Sequence, residues 1–359
     1  MTPPLEFGWF LPTNGDTTSF VRPAEVNQSL DMFDRVTKAA ETADFEYMLV
    51  PVQTACWEAW IASAMMVGRS ERIKMLVAAR PGYINLVLLA KMISTFDQLS
   101  GGRICINLIA GASDEEASAE GIRFAKTERY DVMEEEVTIL KALWEAKKPI
   151  DFEGKYYQLN GAQIRPRILQ RPYPKFYLGG GSSRAWDISA QHADVHLFWG
   201  DHPDRIRDQI GAIRERARQY GRHDDIGFGM RLQLICRENE ADAWAAAERL
   251  VAGASDKHKT MIRTMFGASE ANRRMQELAD MDDELLCPHL WTGITRVRPG
   301  AGVAVVGNPD QCADMLQQFI DAGCHSFCLS GYLHHDEAMR FGRLVRPRLM
   351  ERNRTRMQA

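Results

Sequence analysis

Eight short apolar runs, each followed by a longer stretch with helical periodicity, constrain this chain more than any other feature. The runs are FGWFLPT at 7–13, EYMLVPV at 46–52, IKMLVAAR at 73–80, ICINLIAG at 104–111, KFYLGGG at 175–181, DVHLFWG at 194–200, GFGMRLQLIC at 227–236 and HSFCLSG at 325–331. Between them lie amphipathic stretches such as NQSLDMFDRVTKAAETA, RYDVMEEEVTILKALWEA and NPDQCADMLQQFIDAG. Strict strand–helix alternation predicts parallel βαβ units. Eight is also the number that closes a (β/α)8 TIM barrel, so an α/β barrel with insertions is the expected fold. A doubly wound open sheet is the rival, but it normally carries a G-x-G-x-x-G loop after an early strand. The nearest approach, GAGVAVVG at 300–307, has the wrong spacing and follows a loop.

Two connections are too long for simple turns. Residues 146–174 are rich in Pro, Gly and aromatics and read as an excursion with a small hairpin. Residues 253–306 carry a helical stretch and end in TRVRPGAGVAV, which reads as a mobile lid loop. No linker or internal repeat interrupts residues 1–359, and the 359 residues are expected to form a single domain.

Composition removes several function classes. Forty-four basic against 48 acidic residues give a net charge of −4, so no basic field calls for nucleic acid. No apolar run approaches the length of a membrane span, and the start lacks the charged-then-apolar pattern of a secretory signal. The seven cysteines are odd in number and lack C-x-x-C spacing, which argues against a disulfide framework or a zinc site. A reduced, cytoplasmic protein with no resident metal is expected.

In a barrel, chemistry gathers where strands end and the βα loops begin. GGGSS at 179–183 leaves one strand and enters a helix, so Gly180, Gly181, Ser182 and Ser183 could cradle an anion; a plain turn with a serine cap is the alternative. Arg231 and Gln233 share one strand face, opposite Met230, Leu232 and Leu234, and in a barrel they should point inward. A buried arginine needs an anion, which could be a ligand or a neighbouring carboxylate. Trp199 at a strand end could line a pocket. Arg296 and Arg298 could form an anion clamp or lie idle on the surface. His334 could titrate or sit on a solvated loop. Cys56 has no local His or Asn, which weakens a nucleophile reading.

The segments WFLPTNGD, PVQTACWEAW, LSGGRICINLIAG, TERYDVMEEE, QRPYPKFYLGGGSS, HLFWGDHPD, FGMRLQLICREN, HLWTGITRVRPGAGVAVVGN and SFCLSGYLHHDEA resemble, in order, the alkanesulfonate monooxygenases of the bacterial-luciferase-like group. The resemblance runs from about Phe7 to about Leu349. It implies a (β/α)8 barrel that takes reduced FMN from a separate NAD(P)H-dependent FMN reductase. With O2 such enzymes cleave a C–S bond, releasing sulfite and an aldehyde. It also implies a homo-oligomer, dimer or tetramer. By position, Arg231, Arg298, Cys56, Tyr332 and His334 match the catalytic set, the last two within the SGY-x-H motif. Asn107, Tyr130 and the 180–183 segment match flavin contacts, and Trp199 matches a pocket tryptophan. The family commonly has histidine at the positions of Asn14 and Gln233, and an apolar residue at that of Arg296. These departures put the substrate in question and, with Trp199, form the expected substrate-side set. Extra amides and a cation favour a polar sulfonate such as sulfoquinovose. A general alkanesulfonate monooxygenase, or a flavin or deazaflavin oxidoreductase acting on a non-sulfonate, is the alternative.

Overall fold

The computed structural model describes residues 3–111, 113–165, 167–266, 270–281 and 283–354. Each apolar run forms a strand: β1 Glu6–Phe10, β2 Tyr47–Val50, β3 Lys74–Ala79, β4 Ile104–Leu108, β5 Phe176–Gly179, β6 Val195–Trp199, β7 Gly227–Cys236 and β8 Ser326–Ser330. Each pairs in parallel with the next, and β8 returns to β1 through Gly8↔Cys328 and its neighbours. The result is a closed (β/α)8 barrel.

The period of two along each strand sorts side chains between two cores. Tyr47, Leu49, Leu76, Cys105, Tyr177, Val195, Leu197 and Cys328 face inward and fill the barrel. Phe7, Trp9, Met48, Val50, Met75, Val77, Met230, Leu232 and Leu234 face outward into the larger core beneath the helices. Gly8 is required by this packing, because a Cβ there would fall 2.0 Å from a ring carbon of Tyr47. Polar contacts cross the lower mouth. Tyr177 donates to Glu6 at 2.5 Å, Lys175 pairs with Glu6 at 3.3 Å, and Tyr47 and Ser326 hydroxyls meet at 3.0 Å.

The covering helices start and stop on local chemistry. Ser29 caps Leu30–Thr42 by accepting from the Met32 N–H, and Asn85 caps Leu86–Ser100, which Gly101 ends at φ 68°. Pro309–Ala322 opens with proline in its first turn and a reciprocal Asn308–Gln311 capping box. No helix among the described residues is long and apolar enough to cross a membrane.

In the first excursion, Ile150–Glu153 and Gln158–Ala162 pair antiparallel as a hairpin. The second holds helices Asp256–Phe266 and Glu270–Ala279, with residues 267–269 and 282 outside the described set. It then forms three short strands, Leu285–Cys287, Leu290–Trp291 and Ala304–Gly307. The last runs parallel to the upper half of β7, from Ala304↔Gln233 to Gly307↔Cys236. That pairing explains why β7 is ten residues long: its first half belongs to the barrel and its second half carries the excursion back. Strands this short arise from tertiary pairing and leave no period of their own in the sequence. The excursion is also pinned from within. Arg274 makes a two-pronged bond to the buried Asp201 at 2.7 and 2.9 Å, and His258 Nε2 lies 2.9 Å from the Val297 carbonyl.

Candidate active site

A cavity of about 460 Å³ opens at the C-terminal ends of the strands, within the range of roughly 300–1,000 Å³ usual for cofactor and ligand sites. Its floor is Phe10, Leu49, Ala78, Asn107, Leu197 and Arg231, and Trp199 stands at the wall. Loops after the strands add Asn14, Gln53, Cys56, Arg80 and Gly180–Ser182, and Lys126 and Tyr130 come from the helix Lys126–Glu145. The second excursion closes the far side with Asn272 and the stretch Arg298–Ala301.

One end suits an anion. Gly180 has φ 150°, and a Cβ there would lie 2.9 Å from the Ala185 Cβ and 3.2 Å from the Tyr130 hydroxyl. Only glycine leaves that approach open. Ser182 caps the helix Ser183–His192, its Oγ accepting from the Ala185 N–H at 3.2 Å, so the positive end of the helix faces the cavity. Burial holds the Tyr130 phenol above its ordinary range despite the hydrogen bond with Ser182 and the charge of Arg129, so it remains a neutral donor. Lys126 adds a cation whose pKa is lowered, first by burial and then by Arg129. These features fit the phosphate of a flavin nucleotide, with Asn107 placed on β4 deeper in the same cavity. Ser183 departs from the expected set. It is exposed, and its hydroxyl and carbonyl both accept from Arg216 at 2.9 Å, outside the cavity.

The other end is cationic. Arg231 is buried and donates to the carbonyls of Leu232 at 2.9 Å and Cys328 at 3.4 Å, and to the Ser330 hydroxyl at 2.9 Å. Its guanidinium stacks over Phe10, 4.8 Å from the ring centre. No carboxylate among the described residues pairs with it, so the structural-ion-pair alternative raised by the sequence does not hold. Burial lowers its pKa, and the charge of Arg298 lowers it further. Arg298 also lines the cavity and reaches the face of Phe20, 6.0 Å from the ring centre. Cys56 sits on the same wall. Burial pushes its thiol up, against the lowering effects of Thr13, the Gln53 backbone and Arg298, so it stays protonated near neutrality.

Four further expected residues lie off the cavity wall. His334 is buried behind Phe10, with ring centres 5.9 Å apart. Its Nδ1 is 2.8 Å from Asp16, and its backbone N–H donates to the same carboxylate at 2.7 Å. Burial raises the Asp16 carboxyl, but the charge and hydrogen bonds of His334 outweigh it and hold the group below its usual range. Tyr332 packs edge-on against His334 at 5.0 Å and Phe20 at 4.7 Å. Gln233 is fully buried, donating to the Ala301 carbonyl at 2.8 Å and accepting from Ser330. Arg296 turns away to the carbonyls of Ala279 at 2.9 Å and Met281 at 3.1 Å and to the Glu284 carboxylate, so its charge is neutralised within the excursion.

Other members were given no role by sequence reasoning. Arg80 lines the cavity, pairs with Glu120 at 2.8 Å and lies over the Tyr83 ring at 4.0 Å. Its position at the end of β3 was the available signal. Ser330 carried the same signal, at the end of β8, whereas Asp16 had none, because it matters through His334 far away in the chain.

The chain matches the luciferase-like monooxygenase family over residues 5–326. Among solved structures it is similar to EDTA monooxygenase (EmoA) from Chelativorans sp. BNC1, at 19% identity and a TM-score of 0.79, over 97% of this chain and 94% of that one. It is similar to the long-chain alkane monooxygenase LadA at 19% identity and a TM-score of 0.80, over 98% and 92%. A riboflavin lyase, RcaE, solved with modified FMN and riboflavin, aligns at 19% identity and a TM-score of 0.78, over 98% and 92%. At such identities the three structures speak for the fold, whereas the family match spans most of the chain. With its closed barrel and its cavity at the C-terminal face, this chain belongs to the luciferase-like monooxygenase family.

Proposed function

We propose that the protein is a two-component organosulfonate monooxygenase that uses reduced FMN and O2, releasing sulfite and an aldehyde. The observation that carries this reading is the pair Arg231 and Arg298, two cations without a carboxylate partner among the described residues, in the same cavity as the Gly180–Ser182 cradle. A sulfonate is a permanent anion, and holding one away from water requires fixed cations. The cradle would take the flavin phosphate, and Asn107 and Tyr130 would orient the rest of the cofactor. Reduced FMN, delivered by a separate NAD(P)H-dependent reductase, supplies the oxygen-activating chemistry. Phe10, Trp199 and the Arg298–Ala301 stretch exclude water from the reacting centre. The Asp16 carboxylate fixes the orientation of the His334 ring through Nδ1, one layer behind Phe10.

The preferred substrate in this reading is a hydroxylated sulfonate, sulfoquinovose being the concrete case. Asn14 and Gln53 on the cavity wall, with Asn107 deeper in, offer both donors and acceptors. A specific observation favours a plain alkanesulfonate instead: Phe10, Leu49, Ala78 and Leu197 make much of the floor apolar. Sulfite release from a panel of sulfonates, with a flavin reductase, NADH and FMN supplied, tests the reaction itself. Absence of sulfite from every sulfonate would overturn it.

A further inference from the structure

The structure assigns Gln233 a positioning role: its amide ties the loop that carries Arg298 to the guanidinium of Arg231. This inference rests on the proposed anion site and adds to it a residue that touches neither cofactor nor substrate.

The connection is a chain of hydrogen bonds running in one direction. Arg231 Nη2 donates to Ser330 Oγ at 2.9 Å, Ser330 Oγ donates to Gln233 Oε1, and Gln233 Nε2 donates to the Ala301 carbonyl at 2.8 Å. Gln233 also gives its backbone N–H to the Val303 carbonyl at 3.0 Å, so side chain and main chain grip the same stretch. Gln233 and Ser330 are both fully buried, and Ala301 lines the cavity three residues after Arg298. Donors that point one way along a buried chain polarise one another, and the positive charge of Arg231 stands at its head. When an anion occupies Arg231, the bond that the guanidinium gives Ser330 changes, and the change is passed to the loop carbonyl. The two arginines then act as one site because Gln233 links them.

The amide is suited to this because it both accepts and donates. A carboxylate at this position would face the Ala301 carbonyl with a second acceptor, and an apolar side chain would leave Ser330 and Ala301 without partners.

The test is amide hydrogen exchange of the 297–303 segment in the full-length protein, with and without methanesulfonate. In the wild type, methanesulfonate should slow exchange there. In Gln233→Met, exchange of this segment in the free protein should rise about tenfold, and methanesulfonate should no longer slow it. Titration should show that methanesulfonate still binds, since Arg231 keeps its other bonds. Ser330→Ala cuts the chain on the other side of Gln233: the free loop should stay protected while its response to methanesulfonate is lost. Gln233→Glu, nearly the same shape, serves if the methionine variant fails to fold, and should loosen the same segment. Wild-type protection and response in the Gln233 variants would overturn the assignment. If methanesulfonate does not bind the wild type, the anion site itself fails, and unaltered free-loop exchange in Gln233→Met would separately refute the anchor.

Discussion

The Arg231 guanidinium lies over the Phe10 ring, 4.8 Å from its centre, and among the described residues its hydrogen bonds go to neutral oxygens. A charge buried in this way is costly unless something anionic arrives to meet it. The cost is tolerated because the ring face and three oxygens partly replace water, and because the cavity side is left for a ligand.

Arg231→Ala should therefore lower kcat/KM for a sulfonate by about 2–5 kcal/mol of transition-state stabilisation, as when one member of a buried charged pair is lost. Arg231→Lys should recover little, since an ammonium cannot both reach the carbonyls and present a flat face to Phe10. Steady-state kinetics with sulfite detection measures both. Equal activity in the lysine variant would show that charge alone is sufficient.

At the cradle, Ser182→Asp would keep a good helix cap while placing a negative charge at the expected phosphate position. Reduced-flavin binding should weaken by at least about tenfold, roughly 1.4 kcal/mol, with little change in melting temperature. Anaerobic fluorescence titration is the measurement. Unchanged affinity would move the phosphate elsewhere.

Arg298 differs from Arg231 in lying on the excursion, half-buried, with no salt bridge of its own among the described residues. Arg298→Ala should act through closure of the cavity, so flavin oxidation continues while product falls and peroxide rises. Peroxide formed per sulfite released reports this. A ratio equal to wild type would remove the closing role.

How much of this was legible in the sequence follows from the range over which each interaction acts. The eight strands were, because their apolar runs are local and strongly patterned. Arg231 was as well, since period two along β7 set it opposite Met230 and Leu232. Gln233 shares that face, yet it lies off the cavity wall. Its partners, Ala301 and Ser330, are 68 and 97 residues away, and only the fold brings them to it. Arg296 is placed by the same kind of contact: from sequence it sat beside Arg298 in one loop, whereas Glu284 and two carbonyls of the preceding segment engage it. Spacing can show which face a residue occupies, but not which distant group is waiting there.

Stability should carry a pH signature from Glu136, a buried carboxyl on the helix Lys126–Glu145. Burial pushes it up to about 7 from an ordinary 4.5, despite hydrogen bonds from Tyr157 and the Gly82 N–H. Between those values the folded chain keeps a proton that the unfolded chain releases, so this contribution is complete below 4.5 and is lost as pH rises through about 7. At 1.36 kcal/mol per pH unit the loss is at most about 3 kcal/mol. His192 and His196 act in the opposite sense: burial lowers both to about 3, so they reduce stability as pH falls from 6.5. Urea unfolding of wild type and Glu136→Gln, compared at about pH 5 and about pH 8, isolates the carboxyl. The wild type should lose stability relative to the variant at the higher pH, and parallel curves would refute the assignment.

The substrate is decided by what remains on the cavity wall after the hydrogen bonds are assigned. Gln233 and Arg296, both expected to favour a hydroxylated substrate, are engaged elsewhere, one with the loop and the other with Glu284. Asn14 and Gln53 remain on the wall with their amides exposed, and Asn107 lies nearly buried among the inward groups. Water can satisfy the two exposed amides when an alkyl chain binds, so they impose little penalty on it. Asn107 cannot be satisfied so easily, and an unpaired buried amide costs about 1–3 kcal/mol. If the flavin takes up Asn107, discrimination between a sugar and an alkane falls to Asn14 and Gln53, and should be modest, on the order of tenfold in kcat/KM. Competitive turnover of sulfoquinovose against pentanesulfonate measures it directly. Preference for the sugar should shrink in an Asn14→Leu, Gln53→Leu double variant, whereas a wild-type preference for the alkane would show that the apolar floor of Phe10, Leu49 and Leu197 sets specificity.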